Sequence, residues 1–221
     1  MKAAAIIVAA GSGKRFGGAT PKQFLKLNGK PVFLWSVEAF ASLKVFKQII
    51  VVAPKQYIIF VKSYLHSPLL TLRSAVAEGG KERFDSVRNG LQAVGKDIDF
   101  IAVHDAARPL INKRDILAVL NKAAKCGAAI AAEKTKDTIK IVKDGFVKTT
   151  LDRSVLWNVQ TPQIFEASLL KKAYSKKIPA NITDDSMLIE KSGVKSAVVE
   201  TKFPNFKITT AQDLKLAELI L

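Results

Sequence analysis

Apolar runs alternate along this chain with segments whose apolar residues recur at a spacing of about 3.6 positions, which is typical of helices. Strands covered on both faces carry few polar positions, so each near-continuous apolar run predicts a short buried strand. The predicted strands are Ala3–Ala9, Gln48–Ala53, Phe100–Val103 and Ala128–Ala132. The predicted helices are Pro31–Ser42, Pro54–Leu65, Asp85–Val94, Asn112–Cys126 and Ala211–Leu221. This alternation predicts an α/β fold, a mostly parallel twisted sheet with helices on both faces, in a single domain over residues 1–221.

One segment departs from that order. Residues Lys136–Arg153 alternate polar and apolar positions around the dipeptide Asp144-Gly145. Asp-Gly between two alternating runs is a strong signal for a β-hairpin. A two-stranded hairpin is marginally stable in water on its own, so it must pack on its own body or on a second copy of the chain. The second alternative is favoured, and we expect an arm over residues 136–153 that is exchanged in a homodimer.

Charge and cysteine content narrow the function classes. The net charge is +16, but the basic residues are scattered along the chain. Without a basic run or interleaved aromatic residues, a lysine-rich surface that steers an anionic substrate is favoured over a nucleic-acid partner. The apolar start "MKAAAIIVAAGSG" is interpreted as the first strand rather than a signal peptide, and no run is long enough to span a membrane. The only cysteine, Cys126, is expected as a small buried residue at a helix end, and it allows no intrachain disulfide. With no export signal recognised, a cytoplasmic location is expected.

A glycine-rich loop follows the first predicted strand. The string "VAAGSGKRFGGATPKQFLKLNGKPV" mixes glycines with lysine and arginine, and such a loop lets backbone N–H groups approach a phosphate ligand. Phe16 stands where a dinucleotide fingerprint needs its third glycine, and no P-loop string occurs. Neither a nicotinamide site nor a kinase-type loop is therefore supported.

Further motifs carry a resemblance over nearly the whole chain. They are "GGKERFDSVRNGL", "VHDAARPL", "DTIK", "LDRSVLWNVQTPQIF", "TDDSMLIEKSG" and "NFKITTAQDL", in this order. With the glycine-rich loop they resemble the 2-C-methyl-D-erythritol 4-phosphate cytidylyltransferase family of the non-mevalonate isoprenoid pathway. The resemblance implies a Rossmann-like nucleotidyltransferase fold, and cytidylyl transfer from CTP to an alcohol phosphate with release of pyrophosphate. The alternative is a ribitol 5-phosphate cytidylyltransferase, which shares the loop and the arm.

The residue inventory suits that reaction. A phosphate monoester is largely dianionic near pH 7 and needs no general base, so catalysis requires positioning and charge neutralisation. The resemblance implies that Arg15 and Lys22 contact the triphosphate, that Lys207 positions the phosphate nucleophile, and that Arg153 reaches the neighbour's site on the arm. These four are the expected catalytic residues.

The resemblance also assigns the binding residues. For CTP they are Ala9, Ala10, Gly11, Gly13, Gly80, Lys81 and Ser86. For the alcohol phosphate they are Asp105, Arg108, Thr138 and Thr183. Asp105 follows a predicted strand, where a carboxylate can hold Mg²⁺ or another divalent cation together with phosphate oxygens. A turn cap remains the alternative for Asp105, a surface ion pair for Arg108 and a helix N-cap for Thr183. Arg83 and Asp85 are not placed in the site.

Overall fold

The computed structural model describes residues 1–221 except residues 12, 14, 15, 19, 66–72 and 180. Its strands are β1 (Ala3–Val8), β2 (Lys26–Leu27), β3 (Lys30–Pro31), β4 (Phe46–Ala53), β5 (Arg73–Glu78), β6 (Phe100–Asp105), β7 (Ala128–Lys134), β8 (Lys140–Lys143), β9 (Phe146–Thr150), β10 (Trp157–Glu166) and β11 (Ala197–Glu200). Its α-helices are α1 (Val32–Ala41), α2 (Ile58–Leu65), α3 (Arg83–Gln92), α4 (Lys113–Cys126), α5 (Ala167–Tyr174), α6 (Asp185–Glu190) and α7 (Ala211–Ile220). Short 3₁₀ turns occupy Lys22–Phe24, Lys55–Tyr57 and Arg153–Val155.

The central sheet confirms the predicted α/β class. Within the described ranges, seven strands form one sheet in the order β11-β7-β10-β6-β1-β4-β5. β1 pairs in parallel with β4 and β6, and β4 with β5 and β11 with β7 are parallel as well. β10 runs antiparallel between β6 and β7. The carboxyl ends of β1 and β6 therefore lie side by side, which is where open α/β sheets bind ligands.

Helices cover both faces of the sheet, as the apolar pattern predicts. In β1, Ala5 and Ile7 pack into a core with α1, α2 and α4, whereas Ala4 and Ile6 pack into a second core with α3, α5 and α6. Gly90 lets α3 approach the sheet closely, because a Cβ there would lie 2.8 Å from Ile6 Cγ2. Burial of both faces of β1 explains its near-continuous apolar sequence.

Several elements were not predicted. The sequence of β10, "WNVQTPQIFE", shows no regular alternation because its first half is partly exposed and its second half is buried on both sides. β5, β11, α5 and α6 were also missed. The buried prediction for Cys126 is wrong: the thiol is exposed at the end of α4, whose buried face ends with Ala123.

The predicted hairpin is present. β8 and β9 pair antiparallel, and the turn places Asp144 and Gly145 at φ values of 51° and 81°, as two-residue hairpin turns require. All residues of both strands are exposed, and Phe146 retains 80% of its surface. In the part of the chain that the structure describes, the arm therefore does not pack against the rest of its own chain.

Candidate active site

A cavity of about 580 Å³ opens at the carboxyl ends of β1 and β6. This volume is in the range of pockets that bind small molecules and cofactors. Nine of the predicted site residues line it: Ala10, Gly11, Gly13, Lys22, Gly80, Lys81, Ser86, Asp105 and Lys207. These residues come from five separate segments of the sequence, and the sheet topology brings them together.

The remaining predicted residues have other positions. Ala9 is buried next to Ala10, and Arg15 lies outside the described residues. Thr138 is exposed at the start of the arm, and Arg153 Nη1 donates a hydrogen bond to the Lys136 carbonyl (2.8 Å) at its base. Neither lines the cavity within the described part of this chain, so their roles stay predictions.

Thr183 is also outside the cavity. Its side chain is exposed, and its Oγ1 lies 3.8 Å from Met187 Sδ. The N-cap of α6 is the following residue, Asp184, whose Oδ1 accepts a hydrogen bond from Met187 N (2.9 Å). The structure thus does not support the cap alternative for Thr183, and its predicted substrate contact stays a prediction.

One wall of the cavity is the glycine-rich loop. Gly13 has a φ of 66°, a conformation that favours glycine. Lys22 opens the 3₁₀ turn and is largely buried at the cavity wall. Gln23, which sequence reasoning missed, donates from Nε2 to the carbonyls of Ala9 and Gly11, both at 2.7 Å. These two bonds fix the loop to the 3₁₀ turn that carries Lys22.

The opposite wall is a narrow slot between β5 and α3. A Cβ on Gly79 would lie 2.2 Å from Ala10 Cβ, and one on Gly80 would lie 2.2 Å from Asp85 Cβ. Ser86 Oγ accepts a hydrogen bond from Gly80 N (3.1 Å) and donates to the Glu82 carbonyl (3.2 Å). The slot is therefore bounded mainly by backbone, which suits a flat ring recognised by its edge.

Asp105 is the charged centre of the cavity floor. Its Oδ2 accepts a hydrogen bond from Lys207 Nζ (2.7 Å), and its Oδ1 accepts from Arg83 Nε (3.4 Å). Burial alone would raise the pKa of Asp105, but Arg83 and Lys207 hold it well below its usual range. Asp105 is consequently a carboxylate with a cation on each side. Arg83, which was left out of the predicted site, lines the cavity.

Arg108 lies beyond this floor with an unused donor. Its Nη1 donates to the Asn205 carbonyl (2.7 Å), while its buried Nε has no hydrogen-bond partner among the described residues. Burial lowers the pKa of Arg108, and Asp105 offsets only part of this effect. Such a desolvated guanidinium favours the arrival of an anion.

Residues of β10 support the floor from below. Thr161 Oγ1 accepts a hydrogen bond from Asp105 N (3.0 Å), and Asn205 Nδ2 donates to the Thr161 carbonyl (2.8 Å). Thr161 also lies 3.1 Å from the buried ring of His104. Thr161 lies in the motif "QTPQIF", whose sequence alone does not indicate this supporting role. His104 itself does not line the cavity.

The residues around the cavity suit a cation held partly by substrate. Among the described residues, no group of three or more histidine, cysteine, aspartate or glutamate side chains lies together. Asp105 and Glu82 are the carboxylates lining the cavity. Mg²⁺ commonly takes one or two carboxylates and completes its shell with phosphate oxygens and water, and this donor set fits that pattern.

In the described chain no helix is both long and apolar enough to cross a bilayer.

The fold and the cavity together define a class. The fold is a mostly parallel sheet with helices on both faces. The cavity at the strand ends is bounded by glycines and contains lysine side chains. Together these features are typical of a Rossmann-like nucleotidyltransferase. Residues 3–221 match the family model described as IspD, 2-C-methyl-D-erythritol 4-phosphate cytidylyltransferase. The chain belongs to this family of enzymes.

Relatives and solved structures agree with the family assignment. The chain is 62% identical to the 2-C-methyl-D-erythritol 4-phosphate cytidylyltransferase of Endomicrobium trichonymphae, over 100% of this chain and 99% of that one. It is 40% identical to the enzyme of the same name from Lachnospira eligens, over 98% of each chain.

Two crystal structures show the same fold. The 4-diphosphocytidyl-2C-methyl-D-erythritol synthase of Anaerococcus prevotii superposes with a TM-score of 0.85 at 30% identity, covering 99% of this chain and 97% of that one. The Francisella tularensis 2-C-methyl-D-erythritol 4-phosphate cytidylyltransferase superposes with a TM-score of 0.82 at 32% identity, over the full length of both chains. The ribitol alternative is not favoured by these findings.

Proposed function

We propose that this protein transfers the cytidylyl group of CTP to 2-C-methyl-D-erythritol 4-phosphate, giving 4-diphosphocytidyl-2-C-methyl-D-erythritol and pyrophosphate. The single observation that carries the proposal is the cavity in which the glycine-rich loop, the Gly79–Gly80 slot, Lys22, Asp105 and Lys207 face one another. Full-length similarity to enzymes of this name supports the choice of substrates.

The nucleotide would lie between two walls of the cavity, the glycine-rich loop and the slot between β5 and α3. The slot at Gly80 and Ser86 would receive the edge of the cytosine, with Ala10 at its border against Gly79. The triphosphate would lie along Gly11 and Gly13, with Lys22 and the predicted Arg15 neutralising the charge that builds up on the α-phosphate in the transition state.

The alcohol phosphate would enter over the cavity floor. Lys207 and Arg108 supply cations for its phosphate, and Arg108 Nε is a donor with no partner among the described residues. A phosphate oxygen of the dianion attacks the α-phosphorus of CTP, the bond from that phosphorus to the bridging oxygen breaks, and pyrophosphate leaves with the electron pair. No proton has to be removed from the nucleophile, because the second pKa of a monoester phosphate is about 6.

Asp105 would hold a divalent cation, Mg²⁺ by preference, together with phosphate oxygens of CTP, while its Oδ1 keeps the contact with Arg83 Nε. When bound, the cation neutralises phosphate charge. Asp105 would also accept hydrogen bonds from hydroxyl groups of the alcohol.

We propose that this chain is a single domain and that it assembles as a homodimer. We also propose that the dimer is located in the cytoplasm. The arm exposes apolar side chains on both of its strands, among them Ile141, Val142, Phe146 and Val147. A second copy of the chain would cover them and would receive Arg153 and Thr138 beside its own alcohol-phosphate site. This arrangement explains why neither residue lines the cavity of its own chain.

A paired-substrate assay tests the proposed reaction. Purified protein is given CTP and Mg²⁺ with either 2-C-methyl-D-erythritol 4-phosphate or ribitol 5-phosphate, and pyrophosphate release is followed with a coupled enzyme. We expect release with the methylerythritol substrate. Release with ribitol 5-phosphate alone would establish the alternative, and release with neither substrate would refute the proposed activity. ATP in place of CTP serves as the matched nucleotide control.

A further inference from the structure

A buried cluster of charges lies behind the cavity floor. Arg83, at the start of α3, contacts Asp105 through Nε and lies 2.8 Å from Asp185 Oδ2 through Nη1. The Tyr174 hydroxyl, at the end of α5, donates to Asp185 Oδ1 (2.5 Å). We call Arg83, Asp105, Asp185, Tyr174 and Lys207 the Arg83 cluster. It joins the cavity to two helices that do not border it.

The Arg83 cluster is balanced in charge. Its two carboxylates face two cations, and one of those cations, Lys207, is the expected ligand of the incoming phosphate. Asp105 holds Lys207 Nζ at 2.7 Å, so a phosphate has to compete with Asp105 for this ammonium group. If Lys207 turns towards the phosphate, Asp105 stays behind as a largely buried carboxylate, and its charge would be strongly unfavourable unless another cation remained beside it.

Arg83 is held beside Asp105 and cannot turn towards the phosphate. Asp185 is fully buried, and its backbone N–H donates to Gln163 Oε1 (3.1 Å), which fixes it to β10. The planar guanidinium presents one edge to Asp185 and its Nε to Asp105, so movement away from Asp105 would also break the pair with Asp185. Asp185 and Asp105 raise the pKa of Arg83 above its usual value, against the opposing effect of burial.

We propose that Arg83 is a positioning residue, fixed by Asp185 and Tyr174, that keeps a cation beside Asp105 when Lys207 turns to the phosphate nucleophile. This inference rests on the proposed function, because it needs an alcohol phosphate that draws Lys207 away. It assigns a role to Tyr174 and Asp185, which act through Arg83 and do not touch substrate.

Steady-state kinetics of Arg83→Gln test the proposal. Without the second cation, Asp105 retains Lys207, so we expect kcat/KM for the alcohol phosphate to fall about 10- to 100-fold, by analogy with the loss when a group that orients a metal ligand is removed. The KM for CTP should change little. Arg83→Lys should restore part of the loss, since it returns a positive charge beside Asp105. Tyr174→Phe should show a smaller loss in the same parameter.

Two further variants control the interpretation. Arg114→Gln removes an arginine that is exposed at the start of α4 and should behave as wild type. Arg83→Gln leaves the buried Asp185 unpaired and can fail to fold, as circular dichroism would show. The double variant Arg83→Gln with Asp185→Asn removes both charges and should retain the fold, with the same loss in kcat/KM for the alcohol phosphate.

Each outcome decides between the two proposals. A wild-type enzyme that releases no pyrophosphate overturns the proposed function and this inference with it. An active wild type with an unchanged kcat/KM for the alcohol phosphate in the folded variants refutes the role of Arg83 alone. A rise in the KM for CTP, without a change for the alcohol phosphate, would show that Arg83 acts on the nucleotide and would also overturn the inference.

Discussion

Acid should destabilise this protein through a single histidine. His104 is fully buried, with its ring 5.3 Å from that of Phe40. Its Nε2 lies 3.2 Å from the Arg108 carbonyl, which can only accept, so Nε2 carries the proton. Its Nδ1 then accepts from the Thr161 hydroxyl (3.1 Å). Burial disfavours a second proton on the ring, and it lowers the pKa of His104 to about 4.

The size of the effect follows from the shift. The unfolded chain binds the proton with a pKa of 6.5, whereas the folded chain binds it only at about 4. The neutral ring therefore contributes stability that is present above pH 6.5 and is lost as the pH falls, in total about 3 kcal/mol. By pH 5 the loss is about 2 kcal/mol, which corresponds to about 4–8 °C in Tm for a chain of this size.

Chemical unfolding of the wild type and His104→Gln measures this loss. Other acidic groups titrate in both proteins, so the difference in unfolding free energy between them isolates the histidine. We expect that difference to shrink by about 2 kcal/mol between pH 7.5 and pH 5. A constant difference would refute the reasoning. If the variant does not fold, an NMR titration of the wild type is decisive, because the chain has two histidines and one ring should stay neutral at pH 5.

The remaining predictions concern the active site. Lys22→Ala and Arg15→Ala should each lower kcat by about 10²–10³-fold with little change in thermal midpoint, whereas Lys26→Ala, an exposed neighbour, should keep normal turnover. Near-normal rates in the first two would contradict their assignment. Mixed in equal amounts, Arg153→Ala and Lys22→Ala chains should recover about a quarter of wild-type activity, because half of the dimers would be hybrids with one intact site each. No recovery would exclude an arm that acts in trans. Gly79→Ala should weaken CTP binding by about 1–3 kcal/mol in calorimetry, since its Cβ would lie 2.2 Å from Ala10 Cβ. An affinity equal to that of the wild type would show that the slot does not hold the base.

The sequence predicts the parts of the site that depend on local pattern. β1 is apolar throughout, and β6 is apolar over its first four residues, because both faces are covered. The ends of these runs, and with them Ala10 and Asp105, could therefore be located in advance. The hairpin was equally predictable, since the Asp144-Gly145 turn needs positive φ at both positions. The boundaries of β1 and β6 shift by one or two residues from the predicted ones, whereas the paired strands of the hairpin span only residues 140–150 of the predicted 136–153.

Other parts of the site depend on contacts between distant segments. Nothing near Arg83 in the sequence indicates that Asp185 and Tyr174 will lie against it, because α5 and α6 approach α3 only once the sheet has formed. β10 escaped prediction for the same reason: Thr161 and Gln163 are polar residues that are buried by their strand partners and not by a periodic apolar face. Gln23 acts through two backbone carbonyls, and a local sequence pattern cannot show such a contact.

The close approach of Ala10 and Gly79 has an evolutionary consequence. The two positions share the space of a single methyl group, so a larger side chain at either one is tolerated only if the other loop retreats. We expect them to vary together or to stay unchanged across relatives. Resistance to an inhibitor that fills only the volume between these loops should therefore arise rarely, because a larger side chain that prevents inhibitor binding would also prevent substrate binding.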